Sequence, residues 1–145
     1  NDAPGTVTRL IDLGVAPYLV SASLIGVVAQ RLVRKICPNC KEEMELPLNM
    51  RKLVESWGAD DIRKYYRGFG CRKCRNTGYF GRIAIHEMFV PDDEILNMVA
   101  EGASAKAIST IAEGKGMKTL HDDGIEKIRA GITTIDEIFR VTNFS

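Results

Sequence analysis

The four cysteines of this 145-residue chain fall in two C-x-x-C pairs, Cys37 with Cys40 in "ICPNC" and Cys71 with Cys74 in "GCRKC". Each pair presents two sulfurs from one tight turn, and two such turns can close a tetrahedral cage of thiolates around zinc at ~2.3 Å. Pro38 stiffens the first turn, while Gly70 and Gly78 relieve crowding around the second. Arg34, Lys35, Lys41, Arg72, Lys73 and Arg75 flank the sulfurs, offset the negative charge of a tetrathiolate site and favour thiolate over thiol. With all four positions filled by protein the ion is structural and leaves no open position for catalysis. Thirty residues separate Cys40 from Cys71, more than the ~15–20 of a compact two-pair site, so the ion is expected to clamp a loop with its own helix. Two disulfides, or four free thiols in a reducing cytosol, are the alternatives. With no secretory leader visible and no unpaired extra cysteine, structural zinc is the expected state.

Other chemistry is sparse. No G-x-x-x-x-G-K-[ST] phosphate loop occurs, and "EGKGMKT" lacks the first glycine at the required distance. His86, in "IAIHEMF", is expected to pack in a strand. His121, beside Asp122 and Asp123, is expected to start a helix, whose N-terminus favours the acidic pair, or to form an ion pair. No residue of the chain is therefore expected to be catalytic. Two non-enzymatic readings compete with a zinc-stapled fragment. In a zinc-knuckle nucleic-acid module, Arg72, Lys73 and Arg75 meet phosphates while Tyr79 and Phe80 stack on bases. In a chaperone-like scaffold, "CRKCRNTGYFG" echoes a C-x-x-C-x-G-x-G repeat, but "CPNCKEE" lacks that glycine context.

These residues need elements to hold them. Helices are expected over Thr6–Leu13, Ala16–Ser23 and Leu48–Trp57, and strands over "LIGVVAQRLVRKIC", "RKYYRGFG" and "GRIAIHEMFV". The last third reads as helices over Asp93–Glu101, Ser104–Glu113, Leu120–Ala130 and Thr134–Val141. In the last of these Thr134 and Glu137 make a capping box, the hydroxyl accepting an early backbone N–H and the carboxylate reaching back. The uncharged stretch from Leu13 to Gln30 is at the lower edge of membrane-spanning length, but Pro17 and its glycines and serines break it. It is expected to be a buried helix followed by a buried strand. With 45% hydrophobic and 27% charged residues the composition is that of an ordinary soluble globular protein. The net charge of +1 hides an asymmetry: residues 31–82 hold thirteen Lys/Arg against six Asp/Glu, and residues 83–145 six against eleven. Such polarity fits a phosphate or nucleic-acid site, or charge matching between units.

Three collinear motifs, "VVAQRLVRKICPNC", "GCRKCRNTGYFGRIAIHEMF" and "DDGIEKIRAGITTIDEIFRVT", resemble the C-terminal part of the type II secretion and type IV pilus assembly ATPases. "NDAPGTVTRL" resembles the remainder of that family's histidine box, and the chain is expected to open partway through a larger protein. The resemblance implies an α/β fold, more closely an α+β fragment of a RecA-like P-loop ATPase core. Its expected parts are the end of the core over 1–36, a tetracysteine zinc subdomain over 37–74, a returning core strand over 75–91 and a helical C-terminal subdomain over 92–145.

The same resemblance implies a hexameric ATPase that powers protein secretion or pilus assembly, cytoplasmic and peripheral to the inner membrane through its partners. Those partners are other subunits of a homo-hexamer and inner-membrane platform proteins, with neither nucleic acid nor a membrane span. Its cofactors are structural Zn2+ on Cys37, Cys40, Cys71 and Cys74, and ATP with Mg2+ in the full-length parent. The phosphate loop and Walker B segment lie outside this chain, which alone is expected to be an inactive monomer. Arg82, in "GR" after the second cysteine pair, and Arg9 match positions near the nucleotide phosphates, where a guanidinium fork makes bidentate contacts. Gly78 and Gly81 are expected to let the backbone approach closely. Ala84 stands where relatives often have glycine, which puts the fit around the base in doubt. The spacing between the cysteine pairs varies among relatives and does not separate the secretion from the pilus branch, of which secretion is the one expected.

Overall fold

The computed structural model describes residues 2–142, with mixed helix and strand. The outer ends of the segments expected over 1–36 and 92–145 therefore lie outside the described residues. The chain divides into two compact units, 2–30 with 86–120 and 31–85 with 121–142.

The first unit holds four helices. Helix α1 (Ala3–Asp12) begins three residues before the expected start, because the Asp2 carboxylate accepts the Gly5 N–H at 2.8 Å and Pro4 is pre-set for a first turn. Gly14, at φ 102°, ends it. Helix α2 is Pro17–Ser23, and α1 packs on α2. Helices α4 (Asp93–Ala100) and α5 (Ala105–Gly114) are capped by Asp92 and Ser104, which accept the N–H groups of Ile95 and Ala107. Helix α2 packs on α4, α4 on α5 and α5 on α1, burying Val7, Val20, Val99 and Ile108. Phe89 is also buried. The expected buried helix and strand over Leu13–Gln30 are corrected: only Val20 and Ala29 are buried there, while Tyr18, Ile25 and Val28 are more than half exposed. A seven-residue helix offers the core one narrow stripe, and its other faces meet water. No helix is long and apolar enough to cross a membrane among the described residues.

The second unit carries the cysteines. Strands β1 (Val27–Ile36) and β4 (Tyr79–Phe89) form a two-stranded sheet, and their inner ends belong to this unit. Between them lie β2 (Lys41–Glu45), helix α3 (Leu48–Ser56) and β3 (Lys64–Gly68). Strands β2 and β3 pair antiparallel, placing Glu42 opposite Arg67 and Glu45 opposite Lys64. Those opposed charges support a strand whose sequence, KEEME, has little apolar content. Helix α6 (Leu120–Arg129) and helix α7 (Ile135–Thr142) complete the unit. They pack so closely at Gly124 that a Cβ there would come within 2.8 Å of Ile138. Val33, Val54, Ile85, Ile135 and Ile138 are wholly buried.

Candidate metal centre

The two knuckles bring all four sulfurs within 4.8 Å of one another. Three Sγ–Sγ separations, Cys37–Cys71, Cys40–Cys74 and Cys71–Cys74, are 3.7, 3.8 and 3.6 Å. A tetrahedron with metal–sulfur bonds of ~2.3 Å has edges of about 3.8 Å, so these sulfurs already have the spacing of a zinc cage. They are far from the ~2.05 Å of a disulfide, and none of the four cysteines is disulfide-bonded. The cluster can hold a metal ion.

Backbone geometry explains why the sequence closes in this way. Arg75 and Asn76 both take left-handed backbone, at φ 55° and 61°, which turns the chain sharply after Cys74. Gly78, at φ 80°, then passes Gly68 so closely that a Cβ on Gly78 would lie 2.3 Å from the Gly68 carbonyl. The steric role expected for Gly78 is met, and Gly68 shares it. The Gly78 carbonyl accepts the Cys37 N–H at 2.9 Å, tying the second knuckle to the first.

Three N–H groups point at sulfur. Gly70 donates to Cys40, and Gly78 and Cys71 donate to Cys74, each at 3.3 Å. Burial pushes the Cys74 thiol up, but the Gly78 and Cys71 N–H groups and neighbouring thiols outweigh it and bring it down to about 6. The Asn39 side chain, followed by the backbone at Cys74, lowers Cys71. Burial dominates at Cys40 and, with the neighbouring thiols, pushes it up to about 11 against the pull of Gly70. The thiolate-favouring role expected of the lysines and arginines is thus supplied in part by the backbone. Arg34 is otherwise engaged: its guanidinium grips Glu137 and lies 4.1 Å from the centre of the Tyr79 ring. Lys41 lies over Tyr66, and Lys73 over Phe80.

The remaining candidate residues are not members of this cluster. Arg82 is exposed on β4, one residue after Gly81 at φ 82°, and Arg9 is exposed near the end of α1 in the first unit. A Cβ at Gly81 would meet nothing nearer than the Lys35 side chain at 3.7 Å, so that glycine serves the turn of the backbone rather than a tight contact within this chain. Glu87, further along β4, is buried, and its carboxylate accepts the Ala3 and Leu120 N–H groups at 2.8 and 3.0 Å. His86 is corrected from a packed residue to an exposed one, 3.0 Å from the Gln30 side chain. His121 is the second residue of α6, its ring 5.4 Å from that of Trp57. A cleft of about 330 Å³ in the first unit contains one lysine, Lys115, paired with Asp92 and Glu94.

The sequence profile of a family described as "Type II/IV secretion system protein" matches residues 1–140. The chain belongs to that family. The type IV pilus assembly ATPase PilB of Thermus thermophilus is 48% identical over 143 residues, covering 98% of this chain and 16% of that protein. The type II secretion system ATPase E of Vibrio cholerae is 43% identical over 145 residues, all of this chain and 28% of that protein. The type II secretion system protein HxcR of Pseudomonas aeruginosa is 42% identical over 142 residues, 98% of this chain and 26% of that one. The chain thus spans about a sixth to a quarter of the length of these family relatives.

Sequence reasoning found the four cysteines and missed what supports them. Gly68 and the tyrosine at 79 carry no motif of their own. The partnership of Arg34 with Glu137 joins residues 103 positions apart and leaves no local periodicity to read.

Proposed function

We propose that this chain is the last part of an ATP-hydrolysing motor for protein secretion or pilus assembly. The match of residues 1–140 to the family, with relatives named as ATPases in both branches, carries the reading. It covers both branches, because a pilus relative and a secretion relative stand at 48% and 43% identity.

In this reading residues 1–36 and 75–91 close a RecA-like core whose phosphate loop lies elsewhere in the parent. Residues 37–74 form a zinc subdomain and 92–145 a helical one. Cys37, Cys40, Cys71 and Cys74 hold a structural Zn2+, which fixes the two knuckles and takes no part in hydrolysis. Arg82 and Arg9 supply supporting contacts to the nucleotide phosphates. Both are exposed, and among the described residues no ion pair engages either one. A guanidinium held on a strand is preorganised for bidentate phosphate contact. The parent works as a cytoplasmic homo-hexamer docked on inner-membrane platform proteins, and the isolated chain is an inactive monomer.

The test is made in the full-length parent. Arg82→Ala is expected to lower kcat/KM for ATP about 10- to 100-fold, the loss of one or two charge-assisted hydrogen bonds. Arg82→Lys restores only part of it, because an ammonium cannot make the fork. An unchanged kcat/KM in both variants contradicts the phosphate contact. The nucleic-acid reading draws on Phe69 and Phe80, exposed beside Arg67 and Lys73 at 5.8 and 5.2 Å. Anisotropy with a labelled single-stranded oligonucleotide separates the two: steeply salt-dependent binding supports that module, and no binding supports the motor.

A further inference from the structure

The turn between α6 and α7 rests on the residues that flank the metal ligands. The Ile132 carbonyl accepts the Ile36 N–H at 2.9 Å, one residue before Cys37. At Gly131, where φ is 70°, a Cβ would come within 2.8 Å of Lys41 Nζ and of the Tyr66 ring, and Lys41 directly follows Cys40. The Thr134 hydroxyl meets the Tyr79 hydroxyl at 2.7 Å, five residues after Cys74. Three of the four ligands therefore have a chain neighbour, one to five residues away, touching one five-residue turn.

From that turn the contacts run into α7. Thr134 accepts the Glu137 N–H at 3.2 Å, which is half of the expected capping box. The other half is corrected: the Glu137 carboxylate does not reach back to the start of the helix but accepts the Arg34 backbone N–H at 2.8 Å and the Arg34 and Arg140 guanidiniums. Burial penalises this carboxylate, yet the two arginines hold it down to about 2. The Thr133 hydroxyl donates to the Arg34 carbonyl at 2.7 Å, and the Arg34 guanidinium covers the Tyr79 ring. Tyr79 is in turn fixed to the second knuckle: Thr77 Oγ1 accepts the Tyr79 N–H at 3.1 Å and donates to the Cys74 carbonyl at 2.7 Å.

We propose that Tyr79, Arg34 and Glu137 are positioning residues that couple filling of the tetracysteine site to docking of α7, so that metal binding and the seat of this helix are one linked equilibrium. The inference rests on the reading that zinc occupies the cysteines. An ion that pins both knuckles fixes Ile36, Lys41 and Tyr79 together, and these are the three supports of the turn. Linkage makes the effect reciprocal: whatever loosens α7 must weaken metal binding by the same coupling free energy.

The experiment uses the whole chain loaded with zinc, as wild type, Tyr79→Phe and Glu137→Gln. Zinc affinity is read by competition with a chromophoric chelator, and the docking of α7 by amide hydrogen exchange. Glu137→Gln is expected to raise the zinc Kd about 5- to 150-fold and to speed exchange in α7, leaving α4 and α5 unchanged. Tyr79→Phe keeps the ring under Arg34 and loses one hydrogen bond, so about a fivefold weakening is expected from a protein that stays folded. Faster exchange in α7 with a zinc Kd within about twofold of wild type in both variants would overturn the coupling while leaving the zinc reading intact. A wild-type chain that takes up no zinc overturns both.

Discussion

The two units solve the problem of a small core differently. The first buries a conventional apolar set, Val7, Val20, Val99 and Ile108 from its helices and Phe89 from β4, with Glu87 as its one buried acid among the described residues. The second has one helix, α3, on its insertion, two-stranded pairings and a knot of polar contacts around four sulfurs. Area burial alone suffices for packed amphipathic helices, but a two-stranded hairpin is marginal without help. The contrast teaches that the cysteines stand beside the short β2–β3 pairing, adding a clasp to a unit that buries an apolar set of its own, Val33, Val54, Ile85, Ile135 and Ile138. Substituting the apolar residues of one unit and removing the metal from the other should therefore have effects that do not cross over in kind.

The largest expected effect is metal removal. Structural zinc contributes on the order of 10–16 kcal/mol of apparent binding free energy in small zinc domains, comparable to the whole stability of a typical domain. Chelation, or Cys74→Ser, is expected to abolish cooperative unfolding of the second unit while α4 and α5 keep their amide protection. Equal loss of protection in both units would break the contrast.

Next comes Phe89→Ala. Its buried ring lies in the first unit, and truncation should cost about 3–5 kcal/mol without changing zinc stoichiometry. Denaturant titration of the zinc-loaded chain, followed by metal analysis of the folded fraction, checks both halves of that statement.

Glu137→Ala should cost the second unit about 3 kcal/mol, at the low end for a broken buried pair because both arginine partners reach water. The pH dependence sharpens this. With its pKa lowered from 4.5 to about 2 by folding, Glu137 contributes stability that is fully present above pH 4.5 and is lost as pH falls toward 2. The stability gap between wild type and Glu137→Gln should therefore be constant from pH 7 to about 5 and close below it. A gap that widens on acidification contradicts the assignment.

The smallest effect belongs to the first unit's surface. Lys115→Ala removes pairs with the exposed Asp92 and Glu94 and should cost no more than about 1 kcal/mol, a difference that added salt erases.

How much of this was legible in the sequence depended on range. Helices α4 and α5 carry their own signals, an Asp92 or Ser104 cap followed by apolar spacing, and both lie within a residue or so of their expected bounds. The cysteine pairs announce a metal site through spacing alone. Strand β2 did not announce itself, because KEEME is a strand only in the company of the basic β3 opposite it. Glu137 looked like a local cap, and its carboxylate instead serves a strand more than a hundred residues away in sequence. The exposed faces of Tyr18 and Ile25 were equally hidden, since an uncharged run does not say which of its sides finds a partner.

The most direct test of the metal centre is elemental analysis of the chain purified without added metal, paired with a thiol count after unfolding in chelator. One zinc per chain with four free thiols is the expected result. No metal with two disulfides would contradict it and would remove the clasp on which the second unit depends.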